Sequence, residues 1–162
     1  MQDQSNAAKQ RRAAAFHEAG HAVVAGHWGY DVYQNHVGQD GLGEVRFTHP
    51  PTEYDSPEGR FRLLTVDVAG SLAEEMAGFI PSAWEGLLEG HNLARAGLDA
   101  GQTPSEILDE YERGDAAEAG ILLRELDATE AERELRGAHD AARTILSERW
   151  DDVEAMVQAG GR

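Results

Sequence analysis

Between Ser5 and Gly29 the chain carries no proline, is rich in alanine, and holds His17-Glu18-Ala19-Gly20-His21 near its middle. A stretch of that composition, opened by a capping serine and closed by glycine, predicts one long helix over Asn6–Trp28. On a helix, residues four apart stand one above the other, so His17 and His21 face the same way. Two imidazoles in that register can share one Zn²⁺ ion, with bonds of about 2.0–2.1 Å. Glu18, one position on, lies close to such a metal without being a ligand. There its carboxylate can take the proton of water that zinc acidifies. The flanks Ala13-Ala14-Ala15-Phe16 and Ala22-Val23-Val24-Ala25 are apolar. Two histidines and a glutamate buried there without partners would be costly, which favours a metal over a pair of solvated rings. Gly20 points the same way: a glycine inside a helix costs about 1 kcal/mol relative to alanine, and close backbone approach would explain it.

Composition narrows what such a helix can serve. With 162 residues, 41% hydrophobic and 27% charged, the chain reads as one globular domain able to bury a core without staples. Its 14 basic and 30 acidic residues leave a net charge of −16. That excludes a nucleic-acid binder working by phosphate neutralisation and disfavours an anionic membrane surface. Lys9 is the only lysine, so a Walker-type phosphate loop is ruled out. Cysteine is absent, which removes disulfides, thiolate zinc clusters and a cysteine nucleophile. Metal ligands must therefore come from the seven histidines and the carboxylates. Met1–Arg12 carries no signal-peptide pattern, and no apolar run approaches the roughly 20 residues of a membrane span. A cytoplasmic location is the expectation.

The rest of the chain reads as short elements. Alternating residues over Asp31–Val37 and Glu44–Thr48, around Gly38–Gly43, predict a hairpin that Pro50-Pro51 ends. Ser56-Pro57-Glu58 opens a helix striped by Leu63, Leu64, Val68, Leu72 and Met76. A further helix is expected over Leu93–Leu98, starting near Gly90–Asn92. Two Thr-x-x-Glu boxes, Thr103…Glu106 and Thr129…Glu132, each predict a helix start. The last helix is expected over Glu130–Gln158. The predicted fold is α+β, mainly α, in one domain. Residues 1–101 carry the zinc-binding helix and hairpin, and residues 102–162 form a helical carboxy-terminal part. His27, His36, His49 and His139 read as surface or interhelix residues. The acids of Glu106–Glu118 and Glu130–Glu134 read as solvated faces.

Phe16-His17-Glu18-Ala19-Gly20-His21-Ala22-Val23-Val24 resembles the zinc-binding helix of the FtsH-type ATP-dependent metalloproteases. Gly41-Leu42-Gly43 with the strand and Pro50-Pro51 after it looks like that family's hairpin. Val68-Ala69-Gly70-Ser71-Leu72-Ala73-Glu74-Glu75 is similar to its Gly-x-x-Ala-Glu-Glu helix, and Ala138–Val157 resembles its closing helix. The resemblance implies a soluble zinc endopeptidase without the ATPase module or the membrane anchor. Such a domain would cut unfolded or flexible segments, its hairpin edge holding the peptide extended. It also implies a third ligand, an aspartate at the head of a later helix. In Glu89–Ala96 that position falls on Asn92, a poor ligand, beside His91, an excellent one. Either residue, or neither, could complete the set. Glu74 would orient a ligand imidazole, with Glu75 the other nearby acid. The alternative function is a catalytically inactive metal-binding relative serving protein interaction; a helical acidic module with an incidental motif is a third reading. A polypeptide is the expected partner, and a homo-oligomer or a separate partner protein stays open.

Overall fold

The computed structural model describes residues 2–112 and 114–160. Its elements are α1 (Gln2–His27), β1 (Asp31–Val37), β2 (Gly43–Thr48), a 3₁₀ turn (Pro51–Asp55), α2 (Pro57–Met76), α3 (Ala83–Asp99), α4 (Pro104–Glu110), α5 (Asp115–Leu122), α6 (Ala128–Glu148) and α7 (Trp150–Gly160). The fold is α+β and mainly α, with one antiparallel two-stranded sheet. Among the described residues no helix is long and apolar enough to cross a membrane.

Helix α2 lies between α1 and α6 and carries the core. Val23 and Val24 of α1, Leu64, Val68 and Leu72 of α2, Leu135 and Leu146 of α6 and Val153 of α7 are buried together. Each such side chain contributes about 1.5–3 kcal/mol on leaving water. Gly20 sits where α1 packs closely on α2. A Cβ there would lie 2.6 Å from the Ala69 carbonyl oxygen and 2.7 Å from the Ala73 Cβ. Glycine at this position is what lets the two helices approach.

The hairpin is tied to α2 through Glu53. This buried carboxylate accepts from the Tyr30 hydroxyl at 2.5 Å and from the Arg62 guanidinium at 2.9 Å through both oxygens. Arg62 first, and then Tyr30, hold its carboxyl down at about 2. Ser56 caps α2 by accepting from the Gly59 N–H at 3.0 Å, with Pro57 in the first turn. The strands pair from Asp31 with Thr48 to Val37 with Gly43, with a register shift between Val32 and Gln34.

Several boundaries differ from expectation. Helix α1 already runs from Gln2, so Ser5 lies within it. Helix α3 begins at Ala83, not near Gly90, because the Glu75 carboxylate accepts from the Ala83 N–H at 2.6 Å. Glu75 also pairs with Arg143 of α6, which makes it a structural residue. The Thr103–Glu106 box forms both of its bonds. At α6, however, the cap is Asp127, accepting from the Glu130 N–H at 2.8 Å, and not Thr129. The final helix is two helices, parted at Arg149, whose guanidinium reaches the Val23 carbonyl of α1 at 3.3 Å.

Candidate metal centre

Three elements meet at the histidine pair. Helix α1 presents His17 and His21, the head of α5 presents Asp115, and α2 lies beneath with Val66, Gly70 and Glu74. The two Nε2 atoms are 3.0 Å apart, and Asp115 Oδ2 is 3.0 Å from His17 Nε2 and 3.1 Å from His21 Nε2. On the far side of each ring, His17 Nδ1 is 2.6 Å from Glu74 Oε1 and His21 Nδ1 is 2.7 Å from the Val66 carbonyl oxygen.

Donor and acceptor bookkeeping decides what this cluster needs. A carbonyl oxygen can only accept, so the proton of His21 belongs on Nδ1, and the Glu74 carboxylate assigns His17 in the same way. Each Nε2 then directs a lone pair toward the other and toward a carboxylate oxygen. With both rings neutral, three acceptors would converge there, an arrangement relieved by a proton on a ring or by a bound cation. Burial works against charge on His17, but the hydrogen bonds to Asp115 and Glu74 outweigh it and push its pKa up to about 10. His21 is also raised, the Asp115 charge overcoming burial. Burial opposes the charge on Asp115 too, yet His21 and His17 hold its carboxyl well below the usual range.

Two imidazoles and a carboxylate are a donor set suited to zinc, and ligands at about 2.0–2.1 Å from a tetrahedral ion lie about 3.3 Å from one another. The observed separations are close to that edge length. Among the described residues, His17, His21 and Asp115 are the group able to hold a metal ion.

Gly70 makes the room. A Cβ there would lie 2.6 Å from His17 Nε2 and 2.7 Å from His17 Cδ2, and closer still to His21 Nε2. Gly70→Ala is therefore expected to lower zinc affinity by about 10–100-fold, the range for residues that position ligands. Far-UV circular dichroism should be unchanged, since alanine suits a helix. Equal affinity in the variant would show that the rings have space to spare.

Glu18 lies next to the cluster and is buried. Gly43 of β2 packs directly on its side chain, where a Cβ would collide with Cγ and Oε1. Burial pushes its carboxyl up, with His21 and then His17 acting in the opposite direction. It faces an open cleft of about 640 Å³ that is also lined by His17, His21, Asp115 and the β2 residues Gly43 to Val45.

The structure thus brings together His17, Glu18, His21 and Glu74. It does not bring His91 or Asn92 to them, contrary to the expectation; the carboxylate beside the histidine pair is that of Asp115. His91 is in the middle of α3, its ring buried and its Nδ1 3.1 Å from Asn92 Oδ1. Asn92 is exposed on the same helix. Neither residue is at a helix head, because α3 starts at Ala83. Asp115 and Glu118, read from the sequence as part of a solvated face, line the cleft instead. The available signal was Gly114-Asp115 opening a helix whose Ala117, Ala119 and Gly120 are buried. His27 and His36 are exposed, His49 is half-buried against Tyr54, and His139 is buried against Trp84.

In comparisons with known proteins, no family model and no curated protein matches the chain. The likeness to FtsH-type peptidases is therefore carried by the quoted motifs alone.

Proposed function

We propose that this chain is a zinc-dependent endopeptidase acting on unfolded or flexible polypeptide segments. The observation that carries the reading is the convergence of His17 Nε2, His21 Nε2 and Asp115 Oδ2, with both rings pinned from behind. These three residues would hold the ion, while Glu74 and the Val66 carbonyl keep the rings in orientation. Zinc bound there would acidify water and polarise a peptide carbonyl. Glu18, whose carboxyl burial raises, would take the proton of the attacking water and pass it to the leaving amine. Strand β2 borders the cleft, and in a two-stranded sheet each strand keeps one unpaired edge. An extended peptide could pair along that edge and lie across Glu18. The non-catalytic alternative drew on a neutral Asn92 as the third ligand, and an acid at the head of α5 weakens that ground.

The test is metal content joined to turnover. The purified chain is expected to hold about one zinc, lost in His17→Ala and in His21→Ala. It should cleave casein, stop when a chelator strips the metal, and recover with added zinc. A zinc-loaded protein inert on casein overturns the peptidase reading, and a wild type that binds no zinc overturns the metal reading as well.

A further inference from the structure

Strand β1 runs beside two grooves of about 510 and 460 Å³ that join at Ala15, Val37 and Gly160. None of His17, Glu18, His21 and Asp115 lines either of them. The whole run from Val32 to Val37 lines the second groove. Successive side chains of a strand point to opposite faces, so a groove bordered by an unbroken run meets the strand's edge and not one face. In a two-stranded sheet that edge is the unpaired one, because β2 takes the other. Helix α1 forms the floor, with Ala15 and Ala22 two turns apart on one face, and α7 forms the far wall with Met156 and Ala159.

Two features say what fits there. From Val32 to Val37 the edge carries no lysine, arginine, acid or proline, the residues that commonly blunt an exposed strand edge. The register shift falls between Val32 and Gln34, which leaves Gln34–Val37 as the regular part. At that end stand Arg11 and Arg12, both exposed. Among the described residues neither guanidinium pairs with a carboxylate. Arg11 donates to the Gln39 carbonyl oxygen at 3.4 Å, and Arg12 lies 5.9 Å from the centroid of the Phe16 ring. Asp40, in the same loop as Gln39, accepts from the Leu42 N–H at 3.1 Å. In a chain of charge −16, two arginines without an acid are a local exception. Charges further off than about 8 Å are largely screened at physiological salt, so the local pair decides.

We propose that this groove takes an extended, acidic polypeptide segment, which adds a strand to the β1 edge and sets a glutamate or aspartate on Arg11 and Arg12. The proposal does not depend on the peptidase reading, since it uses the other edge of the hairpin. Main-chain hydrogen bonds to the edge supply affinity, small apolar side chains pack over Ala15 and Ala22, and the carboxylate accepts from the guanidinium groups. Each groove has the volume of about fifteen liquid waters, room for a peptide segment and not only for an anion. The β2 edge suits such a segment poorly, because Glu18, Glu44, Asp67 and Asp115 line the cleft beside it. A second folded copy also fits poorly, since another sheet brought to β1 would meet α7.

The experiment titrates fluorescein-labelled peptides by anisotropy into the full chain. Each peptide alternates valine and threonine over about eight residues, with two glutamates at its amino end or at its carboxyl end. Control peptides carry two glutamines or two lysines instead. One of the glutamate peptides is expected to bind about tenfold more tightly than its glutamine control. Arg11→Gln together with Arg12→Gln should bring the two within about twofold; both positions are exposed, so the fold should be kept. N-methylation of every second peptide amide, in one of the two phases, should abolish binding by removing the strand's donors. Amide hydrogen exchange should slow over Val32–Val37. Equal binding of glutamate and glutamine peptides overturns the proposal, as does a glutamate preference that survives both arginine changes. So do indifference to N-methylation in both phases, lysine peptides that protect β1 equally, and no binding at all. Protection over Gly43–Thr48 instead would put the peptide in the metal cleft, and would overturn it too. Sedimentation of the chain alone as a dimer, with β1 amides already protected, would give the edge to a second copy.

Discussion

Glu18→Gln is expected to keep the fold and the zinc while lowering peptide hydrolysis by about 10²–10⁴-fold, the contribution of a positioned general base. Glutamine has nearly the same shape, so the close packing of Gly43 on this side chain survives. What disappears is a carboxylate able to accept a proton, at a position where burial raises its affinity for one. The metal should be unaffected, because the converging atoms belong to His17, His21 and Asp115 and not to Glu18. Elemental analysis alongside kcat for an unfolded substrate separates the two effects. A variant that turns over at the wild-type rate would mean that the base is another residue. Loss of zinc together with activity would mean that Glu18 supports the ion.

Local chemistry explains which parts of this structure could be read from the chain. Helix α2 was legible because Ser56-Pro57 supplies both a capping oxygen and a preset first turn. The hairpin was legible from alternation and from the glycines between its strands. The start of α3 was not, since its first amide is capped by Glu75, an acid on the preceding helix. Nor was the break at Arg149, where neither proline nor glycine marks the chain and the guanidinium instead reaches back to α1.

The candidate site divides along the same line. His17, Glu18 and His21 follow from helical periodicity within one element, and the pairing of Glu74 with His17 was anticipated from its motif. Asp115 is 94 residues from His21, and its place after Gly114 at a helix start is a weak local mark in a chain holding 30 acids. The packing of α5 against α3 and α2 brings its carboxylate to the pair. Because α3 starts at Ala83, His91 and Asn92 fall in mid-helix and not at a helix head.

Asp115→Asn should therefore weaken zinc binding by more than about 100-fold, beyond the 10–100-fold typical of residues that only orient ligands. The amide keeps the shape but loses the charge, and a neutral oxygen is a poor zinc ligand. In the same competition against a chelator, His91→Ala and Asn92→Asp should leave zinc affinity unchanged. The two controls differ in stability. His91 is fully buried, so truncation opens a cavity and lowers the melting temperature. Asn92 is exposed, and its exchange should leave melting within ordinary surface effects. Separating affinity from melting matters here, because a destabilised chain can lose metal without losing a ligand. Zinc loss in His91→Ala at a temperature where it is fully folded, with Asp115→Asn still tightly loaded, would return the third ligand to α3. The wild type offers one more check. Since the hydrogen bonds to Asp115 and Glu74 push the His17 pKa up to about 10 against burial, zinc uptake at neutral pH should release protons into a weakly buffered solution. Asp115→Asn removes the charge that raises both rings, so whatever zinc the variant still takes up should displace fewer protons.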